Sequence, residues 1–292
     1  MGTAGYWDRV RKDRHIMKGQ HLYRLLTISL FLTMSLAGCG SSSEMTRMTL
    51  LDQIKQRGTL RVGLSTFVPW AMRDKQGDLI GFEVDVAGKL AEDAGLKVEF
   101  VPTAWDGIIP GLLAGKFDVI IGGLTITPQR NLSVNFTRPY SHSGVTLAGS
   151  RQLMGDASKV EDYNKTGITI TVRRGSTAVQ VGQDNFPNAE LRQFDDDAQA
   201  FQEVLNGNAH GVIAASPKPE YEAIRNSDKL YMPFEKHLYR GSEAIAIRQG
   251  EPDALNFIDN WIYLRTEDGW LDERHNYWFK SLDWQDRVAE NQ

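Results

Sequence analysis

The chain has 292 residues, enough for two domains of ordinary size and a substantial core. Its apolar and charged fractions, 41% and 24%, are those of a soluble globular protein. The net charge of -4, with both signs spread along the chain, argues against a nucleic-acid binder, which carries a concentrated basic face.

The first segment is read as lying outside the fold. "HLYRLLTISLFLTMSLAGCG" has a basic flank (Lys18, Arg24), an apolar stretch from Leu25 to Ala37, then small residues. That stretch is short for a membrane-spanning helix and reads as the core of a signal peptide, residues 1–38. Met17 offers an alternative start, "MKGQHLYRLL". The single cysteine, Cys39, has no partner for an internal disulfide and no metal-binding neighbours. Its context, "LAGC" after an apolar run, resembles the bacterial lipoprotein box. The resemblance implies cleavage before Cys39, acylation of its sulfur, and residues 39–47 as a flexible leash to the membrane.

From Met48 onward strands and helices alternate. "LLDQIKQRG" reads as a helix ended by Gly58, and "TLRVGLS" as a strand. A hairpin turn over Lys75–Asp78 precedes an amphipathic helix ending near Gly95. "KVEFVPT" is a strand, "AWDGIIPGLLAGK" a helix, and "FDVIIGG" a wholly apolar buried strand. The pattern then restarts: strands "VTLAGS", "GITITVRRGS", "AELRQF" and "AHGVIAAS", with helices "AVQVGQDNF" and "DDDAQAFQEVLNGN". "EAIAIRQG" is a returning strand, followed by two amphipathic C-terminal helices. The alternation predicts a parallel α/β sheet in each of two lobes; with the two crossing strands, the expected fold is α/β, two mixed sheets joined by a two-strand hinge. The crossings fall near Tyr140–Gly144 and Tyr239–Glu243. Lobe 1 is expected over 48–141 plus 243–292, and lobe 2 over 142–242. Ligands of such sheets bind beyond the carboxyl ends of the strands, here between the lobes.

The stretch from "LRVGLSTFVPW" through "GGLTITPQR" to "RPYSHSG" resembles the first lobe of the periplasmic amino-acid-binding proteins of bacterial ABC importers, solute-binding protein family 3. The similarity runs from about Leu50 to Trp278. It implies the two-lobed type II binding-protein fold, no cofactor, a small carboxylate or amino-acid ligand, and a permease as partner. It also implies that Arg130 grips the ligand's carboxylate, which suits a planar guanidinium fork. Gly123 and Thr125 match positions that complete this grip through a backbone N–H and a hydroxyl. Thr177, in "RRGSTAVQV", matches the second lobe's carboxylate-facing loop at a helix start. An ordinary Ser/Thr cap explains the same residues. Phe67 and Trp105 match the aromatic walls that sandwich a ligand, although each alone is equally a core residue; Trp70 reads as core or rim.

One position departs from the family pattern. The aspartate expected to meet the ligand's ammonium falls at Ala215, which removes half of a zwitterion clamp. Either another acid substitutes, with Glu220 and Glu243 the candidates, or the ligand has no amino group. Asp195, Asp196 and Asp197 precede a helix, and capping is the reading for Asp197. The chain also resembles cyclohexadienyl (prephenate/arogenate) dehydratases, which share this fold. Their general-acid glutamate falls here at Val179, which transfers no proton. A ligand-sensing receptor is the third alternative. His142 and His210 read as surface or structural histidines.

Overall fold

The computed structural model describes residues 48–289. The signal-peptide segment, Cys39 and the leash to residue 47 lie outside the described residues.

Helix α1 (Leu50–Arg57) is capped by the Thr49 hydroxyl and closed by Gly58 at φ 66°. Strand β1 (Thr59–Leu64) follows, then a small hairpin of β2 (Met72–Arg73) and β3 (Leu79–Ile80). Helix α2 (Phe82–Asp93) leads to β4 (Lys97–Pro102), which pairs in parallel with β1. A 3-10 turn (Trp105–Gly107) runs into α3 (Ile108–Leu113), and β5 (Val119–Ile120) pairs with the other side of β1. The expected strand over "FDVIIGG" is thus cut to two residues, because the chain turns at Gly122 and Gly123.

A single helical turn, Pro128–Asn131, precedes β6 (Val134–Ser150). At 17 residues β6 runs the full span of both lobes, and "VTLAGS" is only its second half. Lobe 2 adds β7 (Thr169–Arg173), α4 (Thr177–Asn185), β8 (Glu190–Phe194), α5 (Asp197–Leu205) and β9 (Gly211–Ala215). Helix α6 (Lys218–Arg225) and β10 (Leu230–Tyr231) complete it. Strand β11 (Tyr239–Arg248) returns to lobe 1, where α7 (Pro252–Glu267) and α8 (Trp270–Phe279) pack. Helix α6 has no clear signal in the proline-rich "SPKPE", yet Pro219 sits in its first turn, where a missing N–H costs nothing.

The main sheet runs β4-β1-β5-β11-β6-β9-β7-β8, with β10 on β6. The two expected mixed sheets are therefore one hydrogen-bonded path, because β6 and β11 serve both lobes. At the crossing they pair antiparallel, Glu243 with Ser141 and Gly241 with Ser143. The register slips on either side of Ala244, opposite Pro139, which has no N–H to give the ladder.

Alternation along the central strands puts apolar side chains on both faces. In lobe 1, Val119, Ile245 and Ile247 join the cluster under α2, α7 and α8, whereas Ile120 and Ala246 face α3. Lobe 2 repeats this, with Ile213 on one face and Val212 and Ala214 on the other. Among the described residues no helix is long and apolar enough to cross a membrane.

Candidate functional site

The loop after β5 is built from local signals. Gly123 turns the chain at φ 68°, and Thr127 caps the next helical turn by accepting the Arg130 N–H at 3.2 Å. Pro128 opens that turn. The turn aims Arg130 back along the loop, where its Nη1 donates to the Thr125 carbonyl at 2.9 Å. Its Nη2 donates to the Gly175 carbonyl of lobe 2 at 3.2 Å, so Arg130 bridges the lobes. No carboxylate forms an ion pair with Arg130 among the described residues. Burial, and then the Arg173 cation, lower its pKa to about 10, so it keeps its charge at neutral pH.

Thr125 is buried and bridges to Glu243 of β11, with the Ile126 N–H donating to Ser242 O at 2.9 Å. This ties the Arg130 loop to the crossing strands. Gly123 donates its N–H to the Tyr140 hydroxyl at 3.3 Å. A Cβ at Gly123 would lie 3.0 Å from the Trp70 ring. Its glycine is thus explained by its positive φ and by Trp70.

Lobe 2 contributes the end of β7. Arg173 is 5% exposed, and its guanidinium carbon lies 4.4 Å from the Trp105 ring centroid and 4.9 Å from that of Phe67. Phe67 and Trp105 are themselves buried. The two aromatic walls therefore close on an arginine of the protein. Sequence reasoning missed Arg173; its signal was the doublet in "RRGST". The neighbouring Arg174 is exposed and paired with Asp195 at 3.5 Å. Arg173 Nη1 lies 2.9 Å from Asp197 Oδ2. Asp197 is accordingly an ion-pair partner and not the cap; Asp196, one residue earlier, accepts the Gln199 N–H and caps α5. The reason is geometric, since a cap residue must stay extended, as Asp196 does, before the first helical residue.

Thr177 is the first residue of α4, half-buried, two residues after the carbonyl that meets Arg130. The cap residue Ser176 makes no side-chain cap bond; its hydroxyl donates back to Arg173 O at 2.7 Å. The ordinary capping explanation for this loop therefore does not hold. Val179 packs in the apolar cluster of lobe 2.

Ala215, half-buried at the end of β9, packs against the apolar cluster containing Phe67 and Trp70. Trp70 is core, 1% exposed, and its Nε1 donates to Ser216 O at 3.3 Å. Glu220 accepts from Ser216 Oγ at 2.6 Å, beside His237. Glu243, the other acid considered in place of aspartate, is 2% exposed and accepts from Ser143 Oγ at 2.7 Å. His142 is exposed and bonded to Ser242 Oγ at 3.0 Å, and His210 Nδ1 accepts the Thr169 N–H at 3.0 Å. Between the lobes a cavity of about 180 Å³ opens beside this cluster, lined by Thr66, Phe67 and Val68 on one side and Asp196, Asp197 and Lys218 on the other. The structure thus gathers Arg130, Thr125, Phe67 and Trp105 of lobe 1 against Gly175 and Arg173 of lobe 2. Gly123 stands behind them through Tyr140.

The sequence profile of the bacterial extracellular solute-binding proteins, family 3, matches residues 60–281. The chain belongs to this family. Among its family relatives, the L-cystine-binding protein TcyJ of Escherichia coli (strain K12) is 28% identical, over 90% of this chain and 98% of TcyJ. The crystal structure of the ancestral amino-acid-binding protein AncCDT-1, a precursor of cyclohexadienyl dehydratase, is 38% identical. It superposes with a TM-score of 0.73 over 80% of this chain and 100% of that one. A binding component of an ABC transporter from Wolinella succinogenes, complexed with lysine, is 38% identical, with a TM-score of 0.74 over 79% of this chain and all of that one. The resemblance read from the residues and the expected two-lobed fold are both borne out.

Proposed function

We propose that this family 3 protein captures an amino acid or related small carboxylate between its lobes and delivers it to the permease of an ABC uptake system. The observation that carries the reading is Arg130, a cation that bridges the lobes and has no carboxylate ion pair among the described residues. Three of its five N–H donors carry no hydrogen bond among the described residues and are left for a carboxylate. Thr125 and the uncapped start of α4 at Thr177 lie within the same constellation, and Phe67 and Trp105 wall it. Gly123 acts at one remove, by holding Tyr140 and admitting Trp70. A ligand that touches both lobes favours the closed form, and that form is what a permease recognises. The relatives support this class of ligand: one is named for L-cystine and a structural neighbour holds lysine. In the same reading, "LAGC" at Cys39 supplies a lipid anchor on the outer face of the bacterial cell membrane.

The test is a thermal-shift screen of the purified protein against amino acids and matched carboxylates without an amino group, with prephenate and arogenate included. A stabilising ligand is expected, and Arg130→Ala is expected to abolish its effect while leaving the circular dichroism spectrum intact. Undiminished stabilisation of the variant overturns the anchor. Consumption of prephenate or arogenate by the wild type would make the protein a dehydratase despite Val179.

A further inference from the structure

We propose that Arg173 sets the charge class of the ligand: its guanidinium fills the slot between Phe67 and Trp105, excludes ligands with a cationic side chain, and receives the second acidic group of an anionic one. This rests on the reading of the cleft as a binding site and deepens it.

The slot comes first. A guanidinium 4.4 Å from one ring centroid and 4.9 Å from another already takes up both aromatic faces. A lysine- or arginine-like side chain entering there would meet a like charge and find the rings in use. Position 215 offers it no carboxylate, since Ala215 only adds apolar surface.

Arg173 is also incompletely satisfied. It is 5% exposed, and its Nε finds no hydrogen-bond acceptor among the described residues. Its Nη1 makes a charge contact with Asp197 Oδ2 at 2.9 Å, but neither atom forms a hydrogen bond there. A buried guanidinium with open donors favours an acceptor with a planar pair of oxygens.

The charges around the slot point the same way. Arg130 and Arg173 bring two cations, and Asp197 answers one of them. Lys218, on the cavity wall, is already met by Glu222 at 3.0 Å. Asp196 caps its helix and adds a second, weaker negative charge toward Arg173, and Asp106 lies against Gly175, so Arg130 is the cation with no carboxylate ion pair among the described residues. A ligand with one carboxylate on Arg130 and another acidic group on Arg173 meets both guanidiniums. Two sources share this chemistry: an acidic amino acid, or a dicarboxylate without an amino group.

The experiment is titration calorimetry on the purified protein, unfolded and refolded to strip any carried ligand. The probes are L-glutamate, L-aspartate, glutarate, succinate, L-glutamine, L-lysine and L-arginine. An acidic probe is expected to bind best, and lysine and arginine are expected not to bind. Binding of glutamate or aspartate alone identifies an acidic amino acid, whereas binding of glutarate or succinate identifies an amine-free dicarboxylate; both support the proposal. Arg173→Leu is expected to weaken the acidic ligand at least about tenfold. Because that change strands Asp197, the double variant Arg173→Leu/Asp197→Asn is measured beside it, and Arg173→Lys is expected to restore part of the affinity. Tighter binding of a neutral or cationic probe, or unchanged affinity in both Arg173→Leu and the double variant, overturns the proposal and leaves the receptor reading standing. No heat with any of the seven probes overturns this proposal, and the receptor reading is then decided by the wider thermal-shift screen.

Discussion

Tyr140 donates its hydroxyl to Glu83 at 2.7 Å, and both side chains are buried where β6 leaves lobe 1. The same hydroxyl accepts the Gly123 N–H, so it links α2, the Arg130 loop and the crossing strand. Tyr140→Phe removes a partner from two groups at once. It is expected to cost roughly 1–3 kcal/mol, seen as a lower urea midpoint with an unchanged slope. An unchanged midpoint would show that the network carries no stability.

Burial raises Glu83 from 4.5 to about 8, with the Glu243 charge adding to the rise, and burial raises Glu243 to about 7. The folded state therefore holds protons that the unfolded chain has released. Between pH 4.5 and about 8 these two groups make stability fall as pH rises, and below that window they cost nothing. The melting temperature is expected to decline across this range. Glu83→Gln keeps an acceptor for Tyr140 and should flatten the profile, raising the melt at pH 8.5 by roughly 2–4 °C. A variant whose profile parallels the wild type would remove Glu83 as a cause.

Gly123→Ala places a Cβ 3.0 Å from the Trp70 ring, at a backbone φ of 68°. Trp70 is 1% exposed and packed against Phe82 and Phe279, so it cannot yield cheaply. The expected loss is roughly 2–3 kcal/mol. Gly77→Ala, at φ 91° with open space around it, isolates the backbone part and should cost about 1 kcal/mol. Equal losses in chemical denaturation would mean that Trp70 plays no part.

Asp197→Ala leaves the Arg173 charge buried without its partner, since both side chains are under 8% exposed. A loss of about 3 kcal/mol or more is expected. The neighbouring pair Arg174–Asp195 is 53% and 75% exposed, and Asp195→Ala should change stability by less than about 0.5 kcal/mol. Comparable urea midpoints for the two variants would contradict the assignment of Asp197 as a buried partner.

Much of the site was legible as composition. The order "GGLTITPQR" contains its own geometry: a glycine that permits a positive φ, a threonine that caps, a proline that opens the turn, and an arginine held by it. Phe67 and Trp105 were legible only through the family resemblance, since each aromatic alone is equally a core residue. The acids were harder. "DDD" reads equally as three caps, and only the extended backbone of Asp196 separates cap from ion-pair partner.

The alternation of strands and helices, the glycine stops and the buried strand patterns belong to the sequence alone, because they depend on residues within a few positions of one another. Contacts across the fold were decided only by the tertiary structure. Glu83 meets Tyr140 57 positions away, and Arg130 reaches Gly175 45 positions away. Which arginine of "RR" enters the aromatic slot followed from the twist and register of β7 against β8 and β9, which turn Arg173 inward and leave Arg174 in solvent. Local propensity carries no information about such pairings; the burial of two sheet faces at once does.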